Sequence, residues 1–142
     1  MAAYAETPLP LKLGITPGAR VALLRAPVGF ERELDPLPDG VRLRTQVRGA
    51  QDVVVFFATR EAELERRFDA LARAIAPAGG LWIAWPKRTA SVATDLREDL
   101  VRDIGLAHGL VDNKVCAVDD IWSGLRFVYR LVDRAGHNGR GR

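Results

Sequence analysis

The apolar positions of this chain fall into two periods, and their order predicts the fold. Val53, Val54, Val55, Phe56 and Phe57 form an unbroken apolar run, the pattern of a strand covered on both faces. The next segment sets Leu64, Phe68, Leu71 and Ile75 on one helical stripe, with Glu61, Glu63, Glu65, Arg66 and Arg67 mostly off it. Thr59 is placed to cap that helix, and Glu61 and Glu63 sit where the positive end of the helix dipole favours carboxylates. Pro77, Gly79 and Gly80 stop it, and Leu81 to Trp85 read as a second buried strand. Asp52 to Lys87 is therefore one βαβ unit, expected as a right-handed crossover between parallel strands.

The same reading extends outward. Residues 1–12 are expected to form an extended arm broken by Pro8 and Pro10. Leu13 to Gly18 turn into a first strand, Arg20 to Arg25, and a loop through Pro27 and Gly29 leads to a short helix near Glu31 to Leu34. Pro36 and Pro38 end that helix, and Asp39-Gly40 is a turn. Val41, Leu43, Thr45 and Val47 then alternate with Arg42, Arg44, Gln46 and Arg48, as in a half-exposed strand near a sheet edge. Beyond Lys87, a polar loop meets a helix from Asp95, with Asp95 and Glu98 in capping-box positions and Leu96, Leu100, Ile104 and Ala107 on its buried stripe. Gly109 ends it. The close reads as an antiparallel hairpin, Lys114 to Val118 and Leu125 to Leu131, with Leu125, Phe127, Tyr129 and Leu131 on one face. The fold class is α/β: a single Rossmann-like three-layer domain with a mostly parallel twisted sheet and a C-terminal antiparallel hairpin. Its domain spans 13–132, between the arm and a basic tail at 133–142 that is expected to be disordered.

Composition narrows the function classes. The chain has 142 residues, which suits one domain with a substantial core. No apolar run reaches the roughly 18 residues of a membrane span, and the N-terminus lacks a basic segment followed by an apolar core, so a cytoplasmic protein is expected. A single cysteine, Cys116, and two histidines leave no internal disulfide and no cysteine-based zinc site, and no metal is expected. The net charge of +3 is mild, and part of it lies in the tail, so nucleic acid is not the expected partner. A third, weaker reading puts nucleic acid on Arg42, Arg44 and Arg48. The edge strand and the hairpin leave a homo-oligomer open.

Candidate chemistry collects where strands end. Trp85-Pro86-Lys87 should lie at the carboxyl end of a central strand, where open α/β sheets gather ligands. There Lys87 can bind an anion, or simply point to solvent beside a packed Trp85. The loop that follows carries Ser91 and Thr94 just before a helix N-terminus, a combination that can hold a phosphate, although Asp95 would compete for the same donors. Asn113, Lys114, Asp119, Trp122 and Ser123 surround the hairpin, where polar groups around a tryptophan can build a pocket or merely make turns. Cys116, inside a strand, reads as a small buried hydrophobe, and His108 as a partner for a helix C-terminus.

Two resemblances accompany this reading. The segments LKLGITPGARVALLRAP, LWIAWPKRTASVATDLRED and GLVDNKVCAVDDIWSGLRFVYRL resemble a family of short bacterial proteins, domain of unknown function three-zero-five-two, over Leu11 to Arg130. That resemblance implies a bacterial cytoplasmic protein and brings no activity with it. The element order and the segment Ile75 to Ile83 also resemble an S-adenosylmethionine-dependent methyltransferase domain. A cofactor loop of that fold carries glycines and an acid after the first strand, and a second acid ends the second strand. Arg25 to Phe30 offers one glycine and no acid, and Val47-Arg48-Gly49 offers none, so no cofactor is expected. The resulting expectation is a degenerate, non-catalytic methyltransferase-like module binding a small ligand or a protein partner. The alternative is an enzyme with an atypical site at the carboxyl edge of the sheet, built from Lys87, Asn113, Lys114, Asp119 and Trp122.

Overall fold

Five of the seven residues from Gln51 to Phe57 are Val or Phe, and they form the strand on which the sheet is centred. The computed structural model describes residues 7–134. Among these, the strands are β1 (Arg20–Leu24), β2 (Arg42–Arg44), β3 (Gln51–Phe57), β4 (Ile75–Pro86), β5 (Val111–Ala117) and β6 (Trp122–Val128). They lie in the order β2-β1-β3-β4-β6-β5. β1 pairs in parallel with both β2 and β3, and β3 in parallel with β4. β6 slots between β4 and β5, antiparallel to both. The mostly parallel sheet closed by an antiparallel hairpin is thus the observed architecture.

The helices are α1 (Leu9–Lys12), α2 (Glu61–Ala74) and α3 (Glu98–Ala107), with a 3-10 helix at Phe30–Leu34. No helix among the described residues is long and apolar enough to cross a membrane. Alternation along the strands divides the core into two layers. On one side α2 and α3 cover Val54, Phe56, Leu81, Ile83, Leu125 and Phe127. On the other, Leu13, Ile15, Phe30 and Leu34 cover Val55, Phe57 and Trp82. We call these the helix side and the arm side.

Four expectations change. Leu9–Lys12 form a turn of helix rather than extended arm, since Pro10 falls in the first turn, where its missing N–H goes unused. Residues 1–6 of the arm, and the tail from residue 135, lie outside the described residues. The Pro/Gly segment after α2 is not a loop. Gln51 faces Ile75 and Val53 faces Gly80, so Ala76 to Gly79 bulge opposite Asp52 at the start of β4. A Cβ at Gly79 would stand 2.9 Å from the Asp52 carbonyl oxygen, which is why glycine fits there. α3 begins at Glu98, not Asp95, and buries Val101, Ile104 and Gly105, while Ala107 is exposed. Finally, residues 131–134 turn helical and leave Leu131 exposed instead of extending β6.

Two contacts lock the helix side. Gly105 lets α3 rest directly on Phe127: a Cβ there would meet the ring at 2.0 Å. At the C-cap of α3, His108 is held by α2, its Nε2 2.8 Å from Glu65 and its Nδ1 2.7 Å from Asp69, with the Phe68 ring 5.1 Å away. The hydrogen bonds to Glu65 and then Asp69 raise the His108 pKa above its ordinary 6.5. Cys116 is half-buried on β5, where burial pushes its thiol up and away from reactivity.

Gly105→Ala is therefore expected to destabilise the fold by about 1–3 kcal/mol through overpacking, despite a helix-propensity gain of about 1 kcal/mol. Urea unfolding measures it. The His108 contacts add stability that is fully present below pH 6.5, the ordinary value, and is lost as pH rises through the raised one. The stability gap between the native protein and His108→Gln, measured from pH 5 to 9, should be widest at the acidic end.

Candidate functional site

The parallel strands β1, β3, β4 and β5 all end at one edge, and the sheet divides what gathers there. On the helix side an open cleft of about 1040 Å³ lies between the end of β4 and the start of α3, with Trp85, Lys87, Thr94 and Ser123 in its wall. On the arm side a second cleft of about 590 Å³ is lined by Lys12, Glu33, Asp35, Lys87, Asp119 and Asp120. Lys87 borders both. Its backbone N–H donates to the Ile121 carbonyl at 2.7 Å, which fixes the point where β4 leaves the sheet.

The floor of the larger cleft is a loop tied down by its own side chains. Thr94 Oγ1 donates to the Thr59 carbonyl at 2.7 Å and accepts from the Leu96 N–H at 3.0 Å. Asp95 Oδ1 accepts from the Glu61 N–H at 2.8 Å. Asp95 thus caps α2 rather than α3, and it takes the place foreseen for Thr59, whose side chain makes no capping bond. Leu96 then drops into the core. Charges on the rim are unequally matched. Arg97 pairs with Asp99 at 2.9 Å, and Arg102 pairs with Glu98 and Asp112, both at 2.8 Å. These two carboxylates, Asp112 foremost, hold the Arg102 guanidinium well above its usual range. Lys87 and Arg88 make no ion pair among the described residues.

The remaining candidates separate from this group. Trp122 is buried on the arm side, its ring edge-on to Phe57 at 5.1 Å, and Phe57 in turn meets Phe30 at 4.9 Å. It is a core residue at the sheet edge. Asp119 is half-buried, and its Oδ1 accepts from Ile121 and Trp122 N–H at 2.8 Å each, which closes the hairpin turn. Asn113 sits exposed at a bulge in β5, and Lys114 reaches the Lys12 carbonyl at 3.3 Å. Neither borders either cleft. Ser91 is exposed on the loop and outside the lining. Sequence reading missed the pairing of Arg102 with Asp112, which joins α3 to β5. They are ten positions apart, and the stretch between them carries no periodic signal for it.

No protein-family model matches the chain, and no curated protein matches it. The family resemblance therefore rests on the sequence segments alone. Solved structures do match. The complex of DhpI with S-adenosylhomocysteine is 17% identical, at TM-score 0.59, over 92% of this chain and 87% of that one. Magnesium protoporphyrin IX methyltransferase from Synechocystis PCC 6803 with bound S-adenosylmethionine is 14% identical, at TM-score 0.59, over 86% of this chain and 74% of that one. A SAM-dependent methyltransferase from Aquifex aeolicus is 13% identical, at TM-score 0.58, over 88% of this chain and 95% of that one. These likenesses show a methyltransferase-like Rossmann fold. They also overturn the expectation of a non-catalytic module. Two of these three structures are named methyltransferases, and two hold S-adenosylmethionine or S-adenosylhomocysteine.

The residues at the end of β1 do not fit S-adenosylmethionine held by a glycine-rich loop. Arg25 takes a left-handed φ of 61° and pairs with Glu63 of α2, while the turn beyond it offers only Gly29. Pro27 has no N–H to donate, and the chain leaves β2 through Thr45-Gln46-Val47 without an acid.

Asp95→Ala should cost about 0.5–2 kcal/mol, the range for a lost helix cap, and lower the melting temperature. Asp95→Asn, which keeps an acceptor oxygen, should recover most of the loss.

Proposed function

We propose that the protein is an enzyme whose substrate site is the helix-side cleft at the carboxyl end of β4, and that its substrate carries an anionic group. One observation carries this reading. Of the cations on the cleft rim, Arg97 and Arg102 are paired with Asp99, Glu98 and Asp112, whereas Lys87 and Arg88 make no ion pair among the described residues. Two unmatched cations at the end of a central strand suit a phosphate or carboxylate arriving from solvent.

In this reading Lys87 orients the anion and offsets charge that develops on it during the reaction. Its backbone is fixed by Ile121, so the ammonium works from a rigid base. Arg88, one residue further along the loop, supplies a second contact. Trp85 and Ser123, neighbours across the β4–β6 pair, present an apolar wall and a hydroxyl to the rest of the molecule. Thr94 and Asp95 keep the floor in place and do not touch the substrate. Fold alone assigns no reaction, and the site's own groups must do so.

Incubation of the purified protein with a bacterial metabolite extract, followed by mass spectrometry, tests this directly. A phosphate- or carboxylate-bearing compound should be consumed by the native protein, and Lys87→Met should reduce the rate at least about 100-fold with an unchanged melting temperature. Consumption that survives Lys87→Met would overturn the assignment of the site. Consumption of nothing would overturn the enzyme.

A further inference from the structure

The outer strands β5 and β6 set two like charges against each other. Arg126 of β6 lies opposite Trp82 of β4 on one side and opposite Lys114 of β5 on the other. Residues paired across antiparallel strands share a face, and Trp82 belongs to the arm-side core, so Arg126 and Lys114 both stand on the arm side. Like charges directly opposite each other in such a pair cost stability. A third cation joins them: Arg134, whose Nε donates to the Tyr129 carbonyl at 3.1 Å and whose charge acts on Arg126.

Arg126 does not relieve the conflict by reaching for water. An arginine on a sheet face ordinarily extends its guanidinium into solvent. Here the side chain is half-buried, and the guanidinium lies back across β4. A Cβ at Gly80 would stand 2.7 Å from both Cζ and Nη2 of Arg126, so the glycine provides the seat. Burial first, and then the charge of Arg134, lower the Arg126 pKa. Lys114, Arg126 and Arg134 make no ion pair among the described residues. The Lys114 ammonium donates to the Lys12 carbonyl at 3.3 Å, which leaves its charge unmatched. Asp112, the acid of β5, pairs with Phe127 in the helix-side core, faces away from the three cations and is held by Arg102. A partly desolvated guanidinium with cations around it is costly unless an anion joins it.

We propose that Arg126, Lys114 and Arg134 form a binding site for the phosphate group of a phosphomonoester on the arm-side face of β5 and β6. The planar guanidinium, held against Gly80, presents a fixed fork to two phosphate oxygens. Three positive charges match a doubly charged monoester better than a carboxylate or a phosphodiester, each of which carries one charge. The site lies on the opposite face of the sheet from the helix-side cleft and does not depend on any reaction there.

Titration of the 15N-labelled protein with phenyl phosphate tests this at the Nε–Hε resonance of Arg126, which is identified by its loss in Arg126→Gln. At pH 7 the resonance should shift and saturate with a dissociation constant at or below about 1 mM. Lys114→Gln, shown to fold by its melting temperature, should weaken binding about tenfold or more. Lowering the pH to 5 returns a proton to the monoester and should weaken binding about fivefold or more. Lys87→Met should leave the titration unchanged, which separates this site from the proposed substrate site. Absence of a saturating shift would overturn the proposal. So would an equal response to acetate, a titration unaltered by Lys114→Gln, or tighter binding of a single-stranded DNA oligonucleotide, which would assign the three cations to a nucleic-acid backbone.

Discussion

The indole of Trp82 sets the arrangement of the whole arm side. It is fully buried midway along β4, and a buried indole N–H without a partner costs about 1–3 kcal/mol. The Leu13 carbonyl, 3.0 Å away and 69 residues earlier in the chain, satisfies it. That bond draws the N-terminal segment across the sheet, so Leu13 and Ile15 cover a face that a long helix would otherwise roof. The ring also dictates its neighbour on β6. A Cβ at Gly124 would stand 3.1 Å from the Trp82 ring, so glycine there admits β6 beside β4. With β6 in place, Ile121 meets the end of β4 and fixes Lys87.

Much of this was legible because it is local. The unbroken apolar run of β3, the stripe of α2 and the alternation around Leu43 each report burial through the spacing of side chains. Sequence reading failed where a partner lies far along the chain. Asp95 has the spacing of a cap for its own helix, yet it caps α2, because the loop that carries it folds back over Thr59. Pro77 and Gly79 have the composition of a turn, yet they form a bulge, because β4 pairs with β3 on both sides of it. Neither outcome has a short-range signature.

The site shows the same division. The expected cluster of polar residues at the carboxyl edge was right about the edge and blind to the faces. Period-two alternation sends Ser123 to the helix side and Trp122 to the arm side, although they are adjacent in sequence. Asp119 is used up in its turn, and Asn113 and Lys114 lie on the outer strand. Lys87 alone borders both clefts, because it follows the last paired residue of β4 and belongs to neither face. Electrostatic matching, not residue type, then distinguishes the rim cations, since Arg97 and Arg102 carry the same charge as Lys87 and differ only in having partners.

A sheet buried on both faces must be covered along its whole width, and this chain covers its two faces by different means. The arm side is sealed by a segment pinned through one indole. The helix side has α2 and α3 among the described residues, packed over β3 to β6. Ala22 and Leu24 stay buried as well, in one core cluster with Leu64, Phe68 and Leu71 of α2.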